Sequence, residues 1–202
     1  MQILAVSDIV VEDLVNGPDN RRPAVDLILG CGDLPPEYLY RLGRRFRAPV
    51  FYVRGNHDLR YPHRSLAGCT NLHARVIEHG GLILAGLEGS RWYNGGPAQY
   101  RDIEMKRIIR RIKPGLKRAG KIDIVVSHAP PRHVHDRADR CHKGFNCFHK
   151  VIEQHKPRFW LHGHIHADFK DPAQRATLCG QTQVINCYGH FFLHITPAGL
   201  DK

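Results

Sequence analysis

Short apolar runs, most of them rich in Val, Ile and Leu and bounded by Gly, Pro or Asn, recur along the chain. Runs of this kind predict buried strands. The predicted strands are 2–7, 25–30, 49–53, 73–77, 81–87, 122–127, 158–162, 183–188 and 191–196, and the amphipathic helices are 36–47, 98–112 and 144–155. The second helix should end near Lys113, because Pro114-Gly115 cannot easily continue it. Alternation of strands and helices, followed by paired strands, predicts an α/β fold with two sheets covered by helices.

Residues that can bind a metal follow five of the apolar runs. In chain order they are Asp8, Asp33, the tetrapeptide Gly55-Asn56-His57-Asp58, His128, and His164 with His166. The carboxyl ends of parallel strands lie at one edge of an α/β sheet, and ligands bind there. The pattern therefore predicts one site at that edge, built from carboxylate, amide and imidazole groups.

Size and composition narrow the class of protein. The 202 residues suit a single domain, residues 1–202. No apolar run reaches the roughly 18 residues that cross a bilayer, and we expect no secretory signal because the chain opens with a strand-like segment. Six cysteines without a Cys-x-x-Cys pair are expected to be reduced thiols, which favours a cytoplasmic location. A zinc site at Cys141, His142 and Cys147 is a weaker alternative, because no second ligand pair has suitable spacing.

The formal net charge of +11 favours anionic partners. Part of the excess lies on two segments with helical spacing, 41–47 and 106–118. Such clusters most often form a solvated helix face, and nucleic-acid contact is the sharper alternative. Few aromatic residues lie among the basic ones, so the clusters do not decide between these alternatives.

The motifs resemble those of the calcineurin-like metallophosphoesterases. That family is recognised by five blocks in fixed order: Asp-x-His, Gly-Asp, Gly-Asn-His-Asp/Glu, a single His after a strand, and Gly-His-x-His. The last four match at Gly32-Asp33, 55–58, His128 and 163–166. In the first block, Asp8-Ile9-Val10, valine stands where the family has a histidine. The resemblance implies a four-layer α/β/β/α sandwich of two mixed sheets, with the site at one edge.

The resemblance also implies two divalent metal ions. The ligands of the first ion would be Asp8, Asp33 and His166, and those of the second Asn56, Asp33, His128 and His164. His57 is the candidate catalytic acid, Asp58 is a candidate to orient its ring, and the nucleophile would be a metal-activated water. Oxygen and imidazole ligands without thiolate suit manganese, iron or zinc, and we expect manganese.

The missing histidine of the first block leaves three outcomes open. The first ion binds more weakly through Asp8, Asp33, His166 and waters; a nearby carboxylate, Glu12 or Asp13, replaces the histidine; or only the second ion binds. We favour two ions bound unequally, with tighter retention of the second. One member of the family, a retromer subunit, serves as a protein-binding scaffold after ligand losses. The alternative to an enzyme is therefore a catalytically weak or inactive metal-binding scaffold for a protein partner.

Side chains near the motifs are candidates for substrate contact. Arg54 precedes the Gly-Asn-His-Asp turn, and a loop after a predicted strand carries Arg91, Tyr93 and Asn94. These groups suit a phosphate ester through charge and hydrogen bonds; an ordinary surface loop and a cap on the sheet edge are the alternatives. Further candidates are His135, Asp136 and His142.

Together these features predict a metal-dependent phosphoesterase that hydrolyses a phosphate diester or monoester. A diester is slightly favoured, because no additional basic pocket for a doubly charged monoester is evident. The expected partner is a phosphate-ester small molecule or a nucleotide, with nucleic acid left open and no membrane. The natural substrate and the oligomeric state do not follow from the sequence.

Overall fold

The computed structural model describes residues 1–18, 23–59 and 68–196. The strands are β1 (Gln2–Ser7), β2 (Leu27–Gly30), β3 (Val50–Tyr52), β4 (Cys69–Asn71), β5 (Val76–His79), β6 (Leu82–Leu87), β7 (Ser90–Arg91), β8 (Gln99–Tyr100), β9 (Ile124–Ser127), β10 (Phe159–His162), β11 (Ala176–Cys179), β12 (Thr182–Asn186) and β13 (Gly189–His194). The helices are α1 (Glu12–Asn16), α2 (Pro36–Phe46), α3 (Asp102–Ala119) and α4 (Cys147–His155), with a 3₁₀ helix at Pro172–Arg175.

Two mixed sheets form the centre of the fold. The first has the strand order β13-β1-β2-β3-β4 and is parallel except at β13. The second has the order β11-β12-β10-β9-β6-β5, and its two edge strands, β11 and β5, run antiparallel to their neighbours. The short strands β7 and β8 pair separately. The parallel strands of each sheet therefore end at a common edge.

The sheets pack face to face, and helices cover their outer faces. Leu29 of the first sheet and Leu161 of the second belong to the buried cluster between the sheets. Leu39 of α2 packs in the cluster on the outside of the first sheet. On the outside of the second sheet, Phe148 of α4 packs against Trp160, with ring centroids 4.8 Å apart. This order of layers confirms the predicted α/β/β/α sandwich of two mixed sheets.

Both predicted bounds of the second helix are wrong. The helix expected at 98–112 runs over Asp102–Ala119 and passes through Pro114. Beyond the proline, Leu116 is buried in the same cluster as Ile112. A Cβ on Gly115 would lie 3.2 Å from Val76, so the glycine suits the close approach of α3 to β5. Burial of the last turn thus outweighs the poor helix propensity of the proline and glycine.

Elements with a weak pattern were missed or shifted. The strand expected at 73–77 lies at Val76–His79, and α1, β4, β7, β8, β11 and the 3₁₀ helix were not predicted. All of them are short, and several lie at sheet edges, where hydrophobic periodicity is weakest. In the described part of the chain, none of the helices has the length and apolar character needed to cross a membrane.

Candidate metal centre

Three of the predicted ligands have a left-handed backbone at the end of a strand. Asp8 follows β1 with φ 68°, Asp33 lies after β2 with φ 55°, and His164 lies after β10 with φ 67°. Residues other than glycine adopt this conformation rarely and at a cost, and such residues cluster at functional sites. The surrounding fold therefore imposes the conformation of these three turns.

Glycines beside the ligands allow the turns to pack closely. A Cβ on Gly32 would lie 2.5 Å from His128 Nδ1, and a Cβ on Gly55 would overlap the carboxylate of Asp33. Gly163 is equally tight, because a Cβ there would overlap a side chain at the end of β1. The glycine of each motif is thus required by its contacts with another motif.

The predicted ligands of the second ion converge. Asp33, His128 and His164 each offer a ligand atom, and these atoms lie within 4.8 Å of one another. His128 Nε2 lies 3.2 Å from Asp33 Oδ2 and 3.1 Å from Asn56 Oδ1. The side chains of Asn56, His128 and His164 are buried. This set of carboxylate, amide and imidazole donors fits a divalent ion such as manganese, iron or zinc.

Backbone carbonyls orient both imidazole rings of this group. His128 Nδ1 lies 2.9 Å from the carbonyl oxygen of Cys31, and His164 Nε2 lies 2.7 Å from that of Cys141. Each carbonyl accepts an N–H from its ring, which leaves the opposite nitrogen of the ring as the ligand atom.

The predicted ligands of the first ion form a looser arrangement. His166 Nε2 lies 3.6 Å from Asp8 Oδ1, and the side chain of His166 is 59% exposed, whereas that of Asp8 is buried. The backbone N–H of His164 donates to both oxygens of Asp8 at 3.0 Å. Val10 is 37% exposed and has no donor atom. The first position therefore has fewer side-chain ligands and more contact with water than the second.

Neither nearby carboxylate has a described contact with Asp8, Asp33 or His166. Glu12 and Asp13 lie in the first turn of α1, and Glu12 Oε2 accepts a hydrogen bond from Asn16 Nδ2 at 2.6 Å. Neither residue belongs to a group of three or more converging ligand atoms among the described residues.

Burial and charge shift the pKa values of the converging ligands. Burial disfavours the imidazolium form of His128, but the charge and hydrogen bond of Asp33 outweigh it and raise the pKa of His128 to about 9. Burial opposes ionisation of Asp33, yet the charge of His128 holds the pKa of that carboxyl well below its usual range. Burial, assisted by the charge of His128, lowers the pKa of His164 to about 3. In the metal-free protein, His128 is therefore a cation paired with Asp33, and His164 is neutral.

Asp58 binds the backbone of two motif turns. Its Oδ2 accepts the N–H of Asp33 at 2.9 Å and that of Gly55 at 2.7 Å. Burial raises the pKa of Asp58 to about 6. These contacts hold the two turns together. The role expected for Asp58 from the sequence was a different one, namely to orient the ring of His57.

His57 lies at the accessible side of the centre. Its backbone N–H donates to Asp33 Oδ1 at 2.8 Å, and its side chain is exposed. His57 and Asp33 also line the same surface cavity. The exposed ring is therefore close to the converging ligands and open to a substrate.

Arg54 is held by a buried carboxylate. Its Nε and Nη2 donate to the two oxygens of Glu88, each at 2.9 Å, and the side chain of Glu88 is 2% exposed. Glu88 also accepts the hydroxyl of Tyr100 at 2.7 Å. Two N–H donors of Arg54 are thus used in its ion pair with Glu88.

The loop candidates have different surroundings. Tyr93 reaches the centre, because its hydroxyl accepts a hydrogen bond from Asn56 Nδ2 at 3.1 Å. Arg91 Nη1 lies 3.7 Å from the carboxylate of Asp102. Asn94 Oδ1 accepts hydrogen bonds within its own loop. Of these candidates, Tyr93 is the one with a described hydrogen bond to a predicted metal ligand.

The sequence interpretation missed Asp139. This residue joins Cys141 and His142 in a second group of ligand atoms that lie within 4.8 Å of one another. Cys147 lies elsewhere: it is buried, and its backbone N–H donates to Asp102 Oδ1 at 3.2 Å. The spacing Asp-x-Cys-His in residues 139–142 is the sequence signal from which this grouping could have been found.

The layered fold and the ligand-bearing turns at the strand ends define a phosphoesterase-type fold of the metal-dependent class. The family model for calcineurin-like phosphoesterases matches residues 1–168. The chain belongs to that family, which confirms the resemblance seen in its motifs. No curated protein sequence matches the chain significantly.

Solved structures share the fold at low sequence identity. The protein TT1561 of Thermus thermophilus has a TM-score of 0.63 and 18% identity, over 93% of this chain and 89% of that chain. The phosphopantetheinyl hydrolase of Mycobacterium tuberculosis has a TM-score of 0.56 and 15% identity, over 93% and 88%. GAP50, the anchor in the inner membrane complex of Plasmodium, has a TM-score of 0.51 and 13% identity, over 93% and 71%. At these identities the similarity shows the fold alone.

Proposed function

We propose that this chain is an enzyme that hydrolyses a phosphate diester, or less readily a monoester, with a metal-activated water. The observation that carries the proposal is the convergence of Asp33, His128 and His164 at the strand ends, with Asn56 beside them. Membership of the calcineurin-like phosphoesterases supports metal-dependent phosphoester chemistry in general.

We propose that the centre holds two divalent ions, preferably Mn²⁺, with iron or zinc as alternatives. Asp8, Asp33 and His166 would hold the first, and Asn56, Asp33, His128 and His164 the second. Bound ions supply Lewis acidity, which neutralises the charge of the phosphate and lowers the pKa of a water. The loose Asp8–His166 pair supports a weaker first position.

His57 is the proposed acid. Its exposed imidazole can hold a proton for the leaving-group oxygen, which is the task of a general acid in ester hydrolysis. The backbone N–H of His57 donates to Asp33, which holds the backbone of His57 beside a residue that would bind both ions. Tyr93, bonded to Asn56, is positioned to contact a phosphate oxygen through its hydroxyl.

Arg54, Arg91 and Asn94 are proposed as further substrate contacts. The pair with Glu88 uses Nε and Nη2 of Arg54, and among the described contacts Nη1 remains for a phosphate. Arg91 lies near Asp102, so both candidate arginines already face a carboxylate. Because little positive charge is left for a second phosphate charge, the singly charged diester is the favoured substrate.

The wider setting is also part of the proposal. Asp8 contacts His164 and His166, which lie more than 150 positions away in the chain, and this contact supports a single domain over residues 1–202. All six cysteines are free thiols, which supports a reducing compartment such as the cytoplasm.

A small phosphate ester or a nucleotide is the proposed substrate. Nucleic acid is a further candidate, because Lys106, Arg110, Lys113 and Lys150 line one groove between α3 and α4.

The test is hydrolysis of bis(p-nitrophenyl) phosphate by the purified chain, with and without added Mn²⁺. We expect metal-dependent turnover in the natural chain and in a His155→Ala control, since His155 lies at the far end of α4. His128→Ala should reduce turnover to the background, because it removes a buried ligand. If the natural chain shows no turnover above His128→Ala, the diesterase proposal fails and the metal-binding scaffold becomes the better account. The same assay with p-nitrophenyl phosphate measures the preference for a diester.

A further inference from the structure

The loop between β9 and α4 brings three different ligand types together on four residues. His142 Nδ1 lies 2.9 Å from Asp139 Oδ1, and Cys141 Sγ lies 3.0 Å from the same oxygen. The third side of the triangle, from Cys141 Sγ to His142 Nδ1, measures 3.3 Å. A carboxylate oxygen, a thiol sulfur and an imidazole nitrogen therefore lie at mutual contact distance.

These separations are close to those of ligands around a tetrahedral ion. With zinc–sulfur bonds of about 2.3 Å and zinc–nitrogen or zinc–oxygen bonds of about 2.0 Å, neighbouring ligand atoms lie roughly 3.3–3.6 Å apart. Each side of the triangle needs to open by only a few tenths of an ångström. The thiol and imidazole protons that now occupy the triangle would leave when the ion binds.

The cluster is also accessible. The side chain of Asp139 is 49% exposed, and that of His142 is 30% exposed. An ion can therefore enter from solvent, and water can complete its coordination. Three protein ligands with one open position are the arrangement of a zinc site that keeps an exchangeable ligand.

We propose that Asp139, Cys141 and His142 form a separate site for Zn²⁺ or a similarly thiophilic divalent ion. The thiolate distinguishes this site from the proposed two-ion centre, whose ligands are oxygen and imidazole only. Soft thiolate ligands favour zinc over manganese, so the two centres would select different ions.

The proposed zinc site would lie next to the two-ion centre. The carbonyl oxygen of Cys141 accepts the bond from His164 Nε2 at 2.7 Å, and the rings of His142 and His164 lie 5.4 Å apart. Arg137, on the same loop, donates from Nη2 to the carbonyl oxygen of His166 at 2.7 Å. An ion bound by Cys141 and His142 would therefore stabilise the loop that orients His164.

Cobalt substitution tests this proposal. We expect Co²⁺ added to the chelator-treated full chain to give a near-ultraviolet thiolate-to-cobalt charge-transfer band, which a centre of oxygen and imidazole ligands does not give. Cys141→Ser should abolish the band. Cys179→Ser, which removes a partly buried thiol elsewhere, should leave it unchanged. Absence of the band from the natural chain, or its persistence in Cys141→Ser, would overturn the proposal.

A second variant covers the case in which Cys141→Ser does not fold. Asp139→Asn changes an exposed side chain and keeps its size, so we expect a folded protein that binds Co²⁺ at the thiolate at least tenfold more weakly. An unchanged Co²⁺ affinity in Asp139→Asn would remove Asp139 from the site and overturn the three-ligand proposal. The readout is an absorption band and not hydrolysis, so this test is independent of the proposed phosphoesterase activity.

Discussion

Gly32 shows how much a single residue contributes to the centre. It has φ 95°, and a Cβ there would lie 2.5 Å from His128 Nδ1 and 2.7 Å from the backbone nitrogen of Gly55. Any side chain must therefore strain the backbone and also push apart two motifs that carry ligands. Gly180 has a similarly positive φ of 63° but open space around it, so it isolates the backbone effect.

We predict that Gly32→Ala costs more than Gly180→Ala in both stability and metal binding. The control should lose about 1 kcal/mol from the left-handed backbone alone. Gly32→Ala should lose several kcal/mol, because steric overlap is added, and it should weaken Mn²⁺ binding at least tenfold. Urea unfolding and calorimetric Mn²⁺ titration measure the two effects. Equal losses in the two variants would show that the close approach to His128 does not matter.

The proton on His128 gives a prediction for pH. Because the pKa of His128 is about 9 and that of His164 is about 3, binding of the second ion should release one proton, from His128, near pH 7.5. Mn²⁺ affinity should rise about tenfold per pH unit from pH 7 towards 9 and then level off. Calorimetry in buffers of different ionisation enthalpy counts the protons released, and a count of zero would contradict the prediction.

The same proton has the opposite effect on the metal-free protein. The pKa of His128 is raised above its unfolded value of about 6.5 to about 9. Its pairing with Asp33 therefore stabilises the fold fully below the unfolded pKa, and this stabilisation is lost as the pH rises through about 9. A rise in pH towards 9 should therefore strengthen metal binding and lower the stability of the metal-free protein.

A single substitution at Val10 should change how many metal ions the protein retains. Val10→His should supply a nitrogen donor to the first ion, and the 37% exposure of Val10 leaves room for the larger ring. We expect the natural chain to retain the second ion preferentially through dialysis, and the variant to retain both. Metal content after dialysis measures this. Equal retention of both ions by the natural chain would contradict the unequal sites.

At the scale of elements, α3 shows where tertiary packing overrides local preference. The helix continues past Pro114, and its last turn places Leu116 in the core while Lys117 faces solvent. A proline inside a helix costs about 3 kcal/mol, so burial of this turn must offset that cost.

We predict that Leu116→Ala lowers the free energy of unfolding by about 2–4 kcal/mol through lost burial and the cavity left behind. Lys117→Ala, one position further on the exposed face, should change it by at most about 0.5 kcal/mol. Chemical denaturation of the two variants measures the difference. Equal, small effects would mean that the core contact ends with the turn before the proline.

At the scale of the whole molecule, the converging ligands come from both sheets. Asp33 and Asn56 follow strands of the first sheet, whereas His128 and His164 follow strands of the second. A bound ion would therefore join the edges of the two sheets, in addition to the apolar cluster between them.

Removal of metal should lower thermal stability. An ion at a hundred times its dissociation constant contributes about 2.7 kcal/mol to the folded state, which corresponds to a Tm change of roughly 5–10 °C for a chain of this size. Thermal unfolding with Mn²⁺ and with a chelator measures the change. His128→Ala should show a much smaller Mn²⁺-dependent shift, and the same Tm with and without Mn²⁺ in the natural chain would contradict the prediction.

The amino-acid pattern was sufficient to predict the class of fold and the residue types available at the strand ends. Central strands such as β2 and β6 are buried on both faces, so their apolar runs are continuous and easy to recognise. Each motif glycine directly precedes a predicted ligand in the chain, as Gly32 precedes Asp33. The strand-end turns could therefore be recognised from short stretches of sequence, and these stretches were enough to indicate the family.

Which atoms meet at the centre depends on the packing of the whole chain. The carbonyl that orients His128 belongs to Cys31, 97 positions away in the chain. The carboxylate that holds Arg54 belongs to Glu88, and no periodic pattern links the two. Such contacts depend on how distant turns and loops pack in three dimensions, and local sequence patterns carry no information about those distances.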